Sequence, residues 1–224
     1  NTDGLLIGYF CKLFWKSKLI YDSHELWAYS SHMSKYNKKL YKIGCWFEKM
    51  IIRKTDIVIT VCESISDVIQ REYSISDISV VRNMPEITTT NYKDSRGTLH
   101  FPKCKYIIIY TGVIIPGRGV KNIIQAMKNV NDNIGLVIMG NNSSYKTEMI
   151  EHVESCNLND RISFVDAVQP DKVISVCRLA SAGIISSRNI CTSYYLCLPN
   201  KLFEYIQSGL PVLCSDFPEM NKII

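Results

Sequence analysis

Hydrophobic and polar positions follow two alternating patterns along this chain, and each pattern predicts one kind of element. Short runs rich in isoleucine and valine are typical of strands buried on both faces, whereas apolar residues at helical spacing are typical of helices packed on a sheet. The runs that predict strands are 18–22, 56–62, 78–82, 105–111, 134–139, 161–165, 182–186 and 212–214. Because strands and helices alternate, the pattern predicts an α/β protein with parallel, doubly wound sheets.

The predicted helices fill the segments between these strands. They are the end of a helix at 4–15, then 35–54, 64–72, 120–130, 145–156, 171–179, a short helix that opens at Asn200, and a last one that begins after Pro218. Ser64 and Asp67 resemble a capping box at the start of one helix. The polar segment 88–104 has neither period, which predicts a linker between two domains, 1–87 and 105–224.

Composition narrows the class of protein. With 224 residues, of which 46% are hydrophobic, the chain has room for one large or two small folded domains. The apolar run 106–115 is interrupted by Thr111 and Gly112, so we expect no membrane span, and we expect no signal peptide because its pattern is missing. Nine scattered cysteines without metal-ligand spacing indicate reduced thiols, a cytoplasmic location and no metal.

Positive charge is concentrated in one predicted helix. The formal net charge is +5, while residues 35–54 carry seven lysines and arginines against Glu48 as the single acid. Apolar residues recur at helical spacing between these charges: Leu40, Ile43, Trp46, Phe47, Met50 and Ile51. This basic amphipathic helix either packs on the core with a solvated charged face or is attracted to anionic lipid headgroups. The sequence leaves both interpretations open.

The segment 198–214 is the most informative part of the sequence. A Pro-Asn pair indicates that a helix starts at Asn200, and Gly209 indicates its end before a buried strand. The N-terminus of such a helix exposes unpaired N–H groups and the positive end of its dipole, where Lys201 adds a cation suited to phosphate. Glu204 lies one turn further on, where a carboxylate accepts hydrogen bonds from hydroxyl groups. An ordinary loop, helix and strand would have the same pattern.

Two other strand ends carry groups that bind ligands in many proteins. The segment 112–119 is rich in glycine and joins a strand to a helix, and Arg118 at the helix start can donate two parallel hydrogen bonds to one phosphate. Its spacing is not G-x-G-x-x-G, which disfavours a dinucleotide-dependent dehydrogenase. His24 follows strand 18–22, at the edge where ligands bind in open α/β sheets. A packed or solvated loop histidine is the simpler interpretation of that residue.

Two segments resemble a known family. LPNKLFEY followed by SGLPV, within 198–212, and YDSHELW at 21–27 are similar to signatures of family-4 glycosyltransferases of the GT-B fold, of the bacterial surface-polysaccharide type. The resemblance implies two Rossmann-like domains whose parallel sheets face a cleft, with 1–87 as the end of the acceptor-side domain and 105–224 as the nucleotide-sugar domain. It also implies a chain truncated at both ends, which we expect to bind nucleotide weakly and to turn over poorly.

The same resemblance implies a donor site. Glu204 would bind the ribose of a nucleotide-sugar, the backbone at 199–201 would face its diphosphate, and His24 would line the donor sugar. The family also departs from this sequence at two positions, because Leu196 stands where it often has a second glutamate and Val113 where it often has an arginine. The implied catalytic residues are His24, Arg118 and Lys201, and the implied donor-binding residues are Gly112, Arg118, Gly140, Asp166, Asn200, Lys201, Leu202 and Glu204.

The function that the resemblance implies is that of a retaining glycosyltransferase. It would move a sugar from a nucleotide-diphosphate donor, a UDP-sugar, to a glycan or lipid-linked acceptor in cell-surface polysaccharide synthesis, at the inner face of the membrane. In the family the segment 166–168 contacts the base, largely through its backbone. A D-x-D pair is missing from the sequence, so we expect metal-independent chemistry. We expect no cofactor, because the nucleotide-sugar is a substrate, and no nucleic acid partner.

Two alternatives belong to other functional classes. A nucleotide-sugar 2-epimerase of the same fold needs acid and base carboxylates beside the sugar, and Glu25 is the obvious candidate. A non-catalytic nucleotide-binding module is favoured by Leu196 and by the expected truncation. Product analysis with a UDP-sugar alone separates the first alternative from a transferase, because an epimerase needs no acceptor.

Overall fold

The computed structural model describes residues 2–30, 38–87 and 95–224, and the chain divides into two compact units. The first unit contains Asn1–Asn83, Asn189–Leu198 and Asp216–Ile224, and the second contains Met84–Arg188 and Pro199–Ser215. In chain order the elements are α1 (Thr2–Trp15), β1 (Ile20–Ser23), a 3-10 helix (Trp27–Tyr29), α2 (Lys38–Ile52), β2 (Ile57–Thr60), α3 (Glu63–Tyr73), β3 (Ile78–Val80), β4 (Tyr106–Thr111), α4 (Val120–Ala126), another 3-10 helix (Met127–Asn129), β5 (Ile134–Gly140), α5 (Ser144–Ser155), β6 (Ile162–Asp166), α6 (Pro170–Cys177), β7 (Ala182–Ile185), α7 (Thr192–Tyr195), α8 (Asn200–Gln207), β8 (Val212–Cys214) and α9 (Pro218–Asn221).

The predicted elements are confirmed with small differences at their ends. Each predicted strand is present, and the short helix begins at Asn200 as the sequence predicts. Residues 35–37 of the basic helix and 88–94 of the predicted linker lie outside the described residues. Helix α7 and the 3-10 helix Trp27–Tyr29 were not predicted, because one turn is too short to show a period. Within the described ranges, no helix combines the length and apolar character that crossing a membrane requires.

The second unit is built on a parallel sheet with the strand order β6-β5-β4-β7-β8. Its central strand, β4, has the sequence YIIIYT, which suits a strand covered on both faces. Strand β8 lies at an edge of this sheet, and Leu213 is 53% exposed. The prediction that 212–214 is a buried strand is therefore wrong. An apolar triplet does not distinguish a central strand from an edge strand, because the neighbours on each side decide burial.

Helices cover this sheet and complete its core. Side chains from β4 and β5 pack with side chains from α4 and α5, as expected when helices cross between parallel strands. The buried members of the cluster are Tyr110, Ile114, Val120, Ile123, Ile124, Met127, Leu136, Ile138, Met149, Val153, Leu158 and Ile162. The core therefore lies under the strand ends that carry the predicted site residues, and it fixes their backbone.

The first unit has a smaller parallel sheet with the strand order β1-β2-β3. Tyr21 is in register with Val58, and Val58 is in register with Ile78. Strand β1 ends at Ser23, so His24 is the first residue beyond the carboxyl end of its strand. The sequence predicted this position for His24, and the strand assignment confirms it.

A buried carboxylate joins three elements of the first unit. Glu48 of α2 is 2% exposed, and it accepts hydrogen bonds from the Tyr21 hydroxyl at 3.2 Å and from the Tyr73 hydroxyl at 2.6 Å. These bonds connect α2 to β1 and α3. Burial raises the pKa of Glu48 above its ordinary value, although the two tyrosine hydrogen bonds oppose that shift.

The burial of Glu48 turns the predicted apolar side of α2 outward. Ile43, Trp46, Phe47 and Met50 are all at least 37% exposed, whereas Ile51 is buried. The side chain of Leu40 lies outside the described residues. The interpretation in which this whole apolar stripe packs on the core is therefore wrong for those four residues. Hydrogen bonds to the carboxylate decide which side of the helix faces the sheet.

The start of α3 is capped by another segment of the first unit. The carboxylate of Glu219, in α9, accepts hydrogen bonds from the N–H and the hydroxyl of Ser64. Cys62 occupies the N-cap position without a side-chain hydrogen bond to the helix, and its thiol donates to the carbonyl of Leu196 at 3.3 Å. The capping box predicted from Ser64 and Asp67 is therefore wrong. A carboxylate distant in sequence satisfies the helix N-terminus instead.

We expect the Glu48→Gln variant to be less sensitive to rising pH than the wild type. Because the pKa of Glu48 is raised in the folded state, the folded protein keeps a proton that the unfolded chain loses, so stability falls as pH rises above about 4.5. Glutamine cannot ionise and keeps a polar group for each tyrosine. The unfolding midpoint of the variant should therefore rise relative to wild type as the pH rises from about 4.5 towards neutrality.

Tryptophan fluorescence is a suitable measurement, since all three tryptophans, Trp15, Trp27 and Trp46, belong to the first unit. The control is Glu151→Gln, which makes the same change on the exposed surface of α5. A constant difference between Glu48→Gln and wild type across this pH range would contradict the prediction.

Candidate functional site

One buried tyrosine fixes the position of α8. The ring of Tyr205 lies against Gly183 of β7 so closely that a Cβ at that glycine would be 2.3 Å from ring atoms. Its hydroxyl oxygen accepts hydrogen bonds from the N–H of Thr111 at 2.9 Å and from the hydroxyl of Thr111 at 3.2 Å. Burial raises the pKa of Tyr205, so the phenol stays neutral. These contacts anchor α8 at the carboxyl end of β4.

Lys201 lies over that strand end. Its Nζ is 3.9 Å from the centre of the Tyr110 ring, which is a cation–π distance. A Cβ at Gly112 would lie 3.2 Å from the same nitrogen. The ammonium group of Lys201 therefore lies beside Gly112. Lys201 is also the second residue of α8, directly after Asn200, which is exposed. A cation beside a helix N-terminus creates a local environment that favours an anion.

Glu204 lies one turn further along α8 and faces β4. Burial raises the pKa of Glu204, while the charge of Lys201 and a hydrogen bond with the Thr111 side chain lower it. The Thr111 hydroxyl donates to the hydroxyl of Tyr205, the residue next to Glu204, and so holds this part of α8 at the end of β4. The carboxyl group remains partly exposed and can accept further hydrogen bonds.

Leu202 differs from the other predicted residues of α8. Its side chain is completely buried, and its N–H donates to the carbonyl of Pro199 at 3.0 Å. The side chain and the backbone N–H of Leu202 therefore both make contacts within the second unit. The buried side chain anchors the helix that carries Lys201 and Glu204, and donor binding by Leu202 stays a prediction.

Arg118 lies in the loop between β4 and α4. The hydroxyl of Ser186 donates to the carbonyl of Arg118 at 2.9 Å, and the N–H of Arg188 donates to the carbonyl of Gly117 at 3.0 Å. These bonds hold the loop against the segment that follows β7, which is the strand beside β4. Arg118 is thereby kept at the same edge of the sheet as Lys201.

The next two strand ends carry Gly140 and Asp166, which are register partners in β5 and β6. A Cβ at Gly140 would lie 2.1 Å from the carbonyl oxygen of Gly112, so only glycine allows the loop after β4 to lie on this strand end. Asp166 accepts a hydrogen bond from Lys146 Nζ at 2.7 Å, and Asn142 Oδ1 accepts a second one at 3.0 Å. The lysine side chain is 7% exposed, whereas that of Asp166 is 79% exposed.

His24 belongs to the first unit, where it lines an open cavity of about 500 Å³. Its Nε2 lies 3.0 Å from Oδ2 of Asp22, so the imidazole and the carboxylate form a hydrogen-bonded pair. Glu25 is exposed and lines the same cavity. The full set of lining residues is Tyr21, Asp22, Ser23, His24, Glu25, Trp27 and Ser30. The cavity is therefore lined by two carboxylates and one imidazole, of which Asp22 and His24 form a hydrogen-bonded pair.

Helix α7 packs near this part of the first unit, against the 3-10 helix Trp27–Tyr29. Leu196 ends α7, and its carbonyl accepts the hydrogen bond from Cys62. Residues Ser193 and Tyr194 of α7 are buried. At the position where the family that this sequence resembles often has a glutamate, Leu196 therefore accepts a structural hydrogen bond through its backbone.

Several residues that shape the site were missed by sequence reasoning. Tyr205 and Thr111 have side chains typical of any helix and strand, so no local signal marks the hydrogen bonds between them. Lys146 gave a weak signal, because a cation in the first turn of a helix is unfavourable unless it is paired. Among the described residues, no group of three or more histidine, cysteine, aspartate or glutamate side chains is arranged to hold a metal ion.

Comparisons with known proteins agree with this fold. Sucrose-phosphate synthase from Thermosynechococcus elongatus is similar over 97% of this chain and 55% of its own, with TM-score 0.74 and 18% identity. Alr3699/HepE from Anabaena, solved in complex with UDP and glucose, is similar over 100% of this chain and 60% of its own, with TM-score 0.77 and 13% identity.

A third solved structure is WaaG, a glycosyltransferase involved in lipopolysaccharide biosynthesis, which covers 92% of this chain and 58% of its own with TM-score 0.66 and 16% identity. The chain thus spans between half and two-thirds of the length of these proteins. At such low identity the likeness shows the fold, which is GT-B. No curated protein has a sequence similar enough to be counted as a relative.

A family model also matches the sequence directly. The model described as "Glycosyl transferases group 1" matches residues 91–224, which is more than half of the chain and includes α8 with Lys201 and Glu204. The chain therefore belongs to the group 1 glycosyl transferases.

Proposed function

We propose that this protein is a retaining glycosyltransferase that moves a sugar from a UDP-sugar donor to a glycan or lipid-linked acceptor in cell-surface polysaccharide synthesis. The observation that carries the proposal is the arrangement at the start of α8, where the Nζ of Lys201 lies over the Tyr110 ring and beside Gly112, with Glu204 three residues further along the same helix. Support for the donor comes from Alr3699/HepE, which binds UDP and glucose. Support for the pathway comes from WaaG, which acts in lipopolysaccharide biosynthesis.

The chemistry of the proposed reaction is electrostatic. When the bond between the sugar and the diphosphate breaks, negative charge develops on the departing phosphate oxygen. Lys201, Arg118 and the N-terminus of α8 would stabilise that charge. Glu204 would accept hydrogen bonds from the ribose hydroxyls and so orient the donor. We assign His24 to the donor sugar on the strength of the sequence resemblance.

We further propose that the reaction needs neither a metal ion nor a cofactor, since Lys201 and Arg118 supply the positive charge that a diphosphate needs. We place the protein in the cytoplasm, because none of the nine cysteines, all of which the structure describes, forms a disulfide, and two of them, Cys62 and Cys177, are buried. Retention of configuration is tested by NMR of the first product formed, which should have the same anomeric configuration as the donor sugar.

The cavity around His24 favours a second candidate, the nucleotide-sugar 2-epimerase. Asp22 and Glu25 line that cavity with the imidazole, and acid and base groups are what an epimerase needs. Incubation with a UDP-sugar and no acceptor distinguishes the two. An epimerase accumulates the epimeric sugar nucleotide, whereas a transferase leaves the donor intact or releases UDP.

We expect the Glu204→Ala variant to bind UDP at least about tenfold more weakly than wild type, since a hydrogen bond to a carboxylate contributes about 1.5–3 kcal/mol. Calorimetric titration with UDP measures this loss. Inorganic pyrophosphate lacks the ribose, so its affinity should not fall in the same variant. Lys201→Met keeps the apolar stem of the side chain and removes its charge. It should weaken the binding of both UDP and pyrophosphate.

The matched control is Glu151→Ala, on the exposed surface of α5. If Glu204→Ala binds UDP as tightly as wild type does, the ribose assignment is wrong. If neither wild type nor control binds any nucleoside diphosphate, the donor site itself is wrong.

We also propose that α2 contacts an anionic membrane, where a lipid-linked acceptor would be found. Trp46 is 60% exposed and packs edge-on against the ring of Phe47, which is 41% exposed. Lys49, Arg53 and Lys54 are exposed beside them. The single acid of the helix, Glu48, is buried, so the described surface of α2 presents positive charge and apolar rings without a negative charge. This combination matches a bilayer with anionic headgroups.

Helix α1 extends the apolar part of this surface within the first unit. It packs against α2, and its exposed large side chains are Leu6, Ile7, Phe10, Leu13, Phe14 and Trp15. Two of its rings, Phe10 and Phe14, are stacked at 6.4 Å between centroids. Exposed aromatic rings next to lysine and arginine are typical of surfaces that lie in the headgroup region.

We expect the chain to co-sediment with phosphatidylcholine vesicles that contain phosphatidylglycerol and not with vesicles of phosphatidylcholine alone. Changing Lys49, Arg53 and Lys54 together to glutamine should weaken binding on the order of a hundredfold, because each cation contributes about 1 kcal/mol near an anionic surface. Trp46→Ala should weaken binding at both low and high salt, since its contribution is apolar.

The control is Tyr106→Ala, which removes a 48% exposed ring from the second unit. Equal binding to both kinds of vesicle, or unchanged binding by the triple variant, would contradict the membrane proposal. Neither result would bear on nucleotide binding.

A further inference from the structure

We propose that a cavity on the surface of α2 binds the head group of a single lipid whose phosphate or diphosphate carries more than one negative charge. This inference rests on the proposed membrane contact of α2, because that contact brings lipids to the cavity. It goes further by replacing a general attraction to anionic headgroups with one saturable site, in which Arg53 binds the phosphate.

The first observation is the cavity itself, which is open to solvent and belongs to the first unit. Its volume is about 570 Å³, and sites for small molecules usually measure about 300–1,000 Å³. The residues that line it are Trp46, Lys49, Met50, Arg53 and Lys54. Three of these five side chains are cations and none is an acid, so the cavity has the charge that an anionic ligand requires.

The second observation is that the lining residues form two adjacent rows. Residues four apart along a helix lie on the same side of it, one turn from each other. Lys49 and Arg53, the residue directly after α2, therefore form a basic row, and Trp46 and Met50 form an apolar row beside it. Trp46 is 60% exposed and Met50 is 37% exposed, so the apolar row is open to a ligand. A lipid head group with its first chain carbons suits this arrangement, since it is charged at one end and apolar at the other.

The third observation is that Arg53 is held in place by one of its nitrogens. Nε donates to the carbonyl of Tyr73 at 2.8 Å. Tyr73 is the last residue of α3, so this carbonyl is one that the helix itself leaves without a partner. Among the described residues, the guanidinium group has no other hydrogen-bond partner. Its two terminal nitrogens therefore keep their N–H groups for a ligand, in the planar geometry that binds a phosphate through two parallel hydrogen bonds.

The fourth observation is that the nearest acids along the chain are occupied elsewhere. Glu48 is buried and accepts hydrogen bonds from two tyrosine hydroxyls. Asp56 accepts a hydrogen bond from Lys12 at 2.7 Å, and the same ammonium group donates to the carbonyl of Lys54 at 2.7 Å. The second of these bonds fixes the backbone of Lys54 at the end of the cavity. Neither carboxylate lines the cavity, so its positive charge is available to a ligand.

The chemistry of the phosphate then decides which lipid is favoured. The phosphodiester of an ordinary phospholipid carries one negative charge, whereas a phosphate monoester or a diphosphate carries more. Three cations around one cavity attract the more highly charged group more strongly. The lipid chain would cover the apolar surface of Trp46 and Met50, which adds a contribution that free phosphate lacks.

The test is calorimetric titration of the 224-residue chain with farnesyl diphosphate, below the concentration at which this lipid forms micelles. Wild type should bind one molecule per chain, at least about tenfold more tightly than short-chain phosphatidylglycerol, which carries a single charge. Arg53→Lys keeps the charge and removes the planar group, and it should weaken farnesyl diphosphate about tenfold while leaving UDP binding unchanged. Lys201→Met should do the reverse. The matched control is Arg71→Lys, on the exposed surface of α3, which should bind both ligands as wild type does.

A second variant avoids the bond that Arg53 makes to α3. Lys49→Met removes one cation from the cavity and leaves the carbonyl of Tyr73 with its partner. It should weaken farnesyl diphosphate about fivefold, as expected for one cation close to an anionic group. Unfolding midpoints of both variants show whether the first unit remains folded. Trp46→Ala should weaken farnesyl diphosphate as well, because the lipid chain loses its apolar contact.

Three results would overturn the inference. The first is equal binding of phosphatidylglycerol and farnesyl diphosphate by wild type, which would leave only a general attraction between charges. The second is unchanged binding of farnesyl diphosphate by folded Arg53→Lys and Lys49→Met. The third is loss of farnesyl diphosphate binding in Lys201→Met alone, which would place the diphosphate at the start of α8.

Co-sedimentation of the same chain with phosphatidylglycerol vesicles separates this inference from the proposed membrane contact. If the chain binds vesicles and not farnesyl diphosphate, the membrane contact stands and the lipid site is wrong. If it binds farnesyl diphosphate and not vesicles, the lipid site is supported and the membrane contact is wrong. UDP binding is measured separately, so the donor site is tested independently of both.

Discussion

The hydroxyl group of Tyr205 is the contact on which the candidate site depends. It lies inside the second unit, where a phenol without partners would be unfavourable, and it is satisfied by both polar groups of Thr111. This requirement fixes the rotation of α8 about its axis. Lys201 and Glu204 lie about one turn apart on the same helix, so this rotation also makes both of them face the end of β4. A structural hydrogen bond thereby decides the geometry of two charged groups that are not part of it.

The first unit uses a buried polar group in a comparable way. Glu48 is held by two tyrosine hydroxyls, and the side of α2 that carries it is therefore the side that faces the sheet. The apolar rings on the other side remain exposed because the helix cannot bury both sides at once. In each unit, a hydrogen-bonding requirement of a buried group prevails over the simple rule that apolar residues go inside.

The strand ends of the second unit form a row in which charge is ordered along the sheet. Lys201 and Arg118 lie at the side of β4 and β7, Glu204 lies over β4, and Asp166 lies over β6 with Lys146 behind it. The exposed carboxylate of Asp166 and the cations beside β4 therefore lie apart along one edge of the sheet.

Much of the fold was determined by the sequence alone. Runs such as YIIIYT, rich in β-branched and aromatic residues, favour covered parallel strands, and the Pro-Asn pair and Gly209 indicate where α8 begins and ends. These features act within a few residues of one another, so the local chain is sufficient to predict them. The positions of Lys201 and Glu204 near the start of α8 could be predicted for the same reason.

Tertiary structure decided the rest, because the deciding contacts join residues far apart in the chain. The exposed side of α2 depends on Tyr21 and Tyr73, and the cap of α3 depends on Glu219, which is 155 residues away from Ser64. The pairing of Lys146 with Asp166 likewise exists only once β6 lies beside β5. The sequence pattern shows which polar and charged groups could form hydrogen bonds. The free energy of burying those groups decides which of them pair in the folded protein.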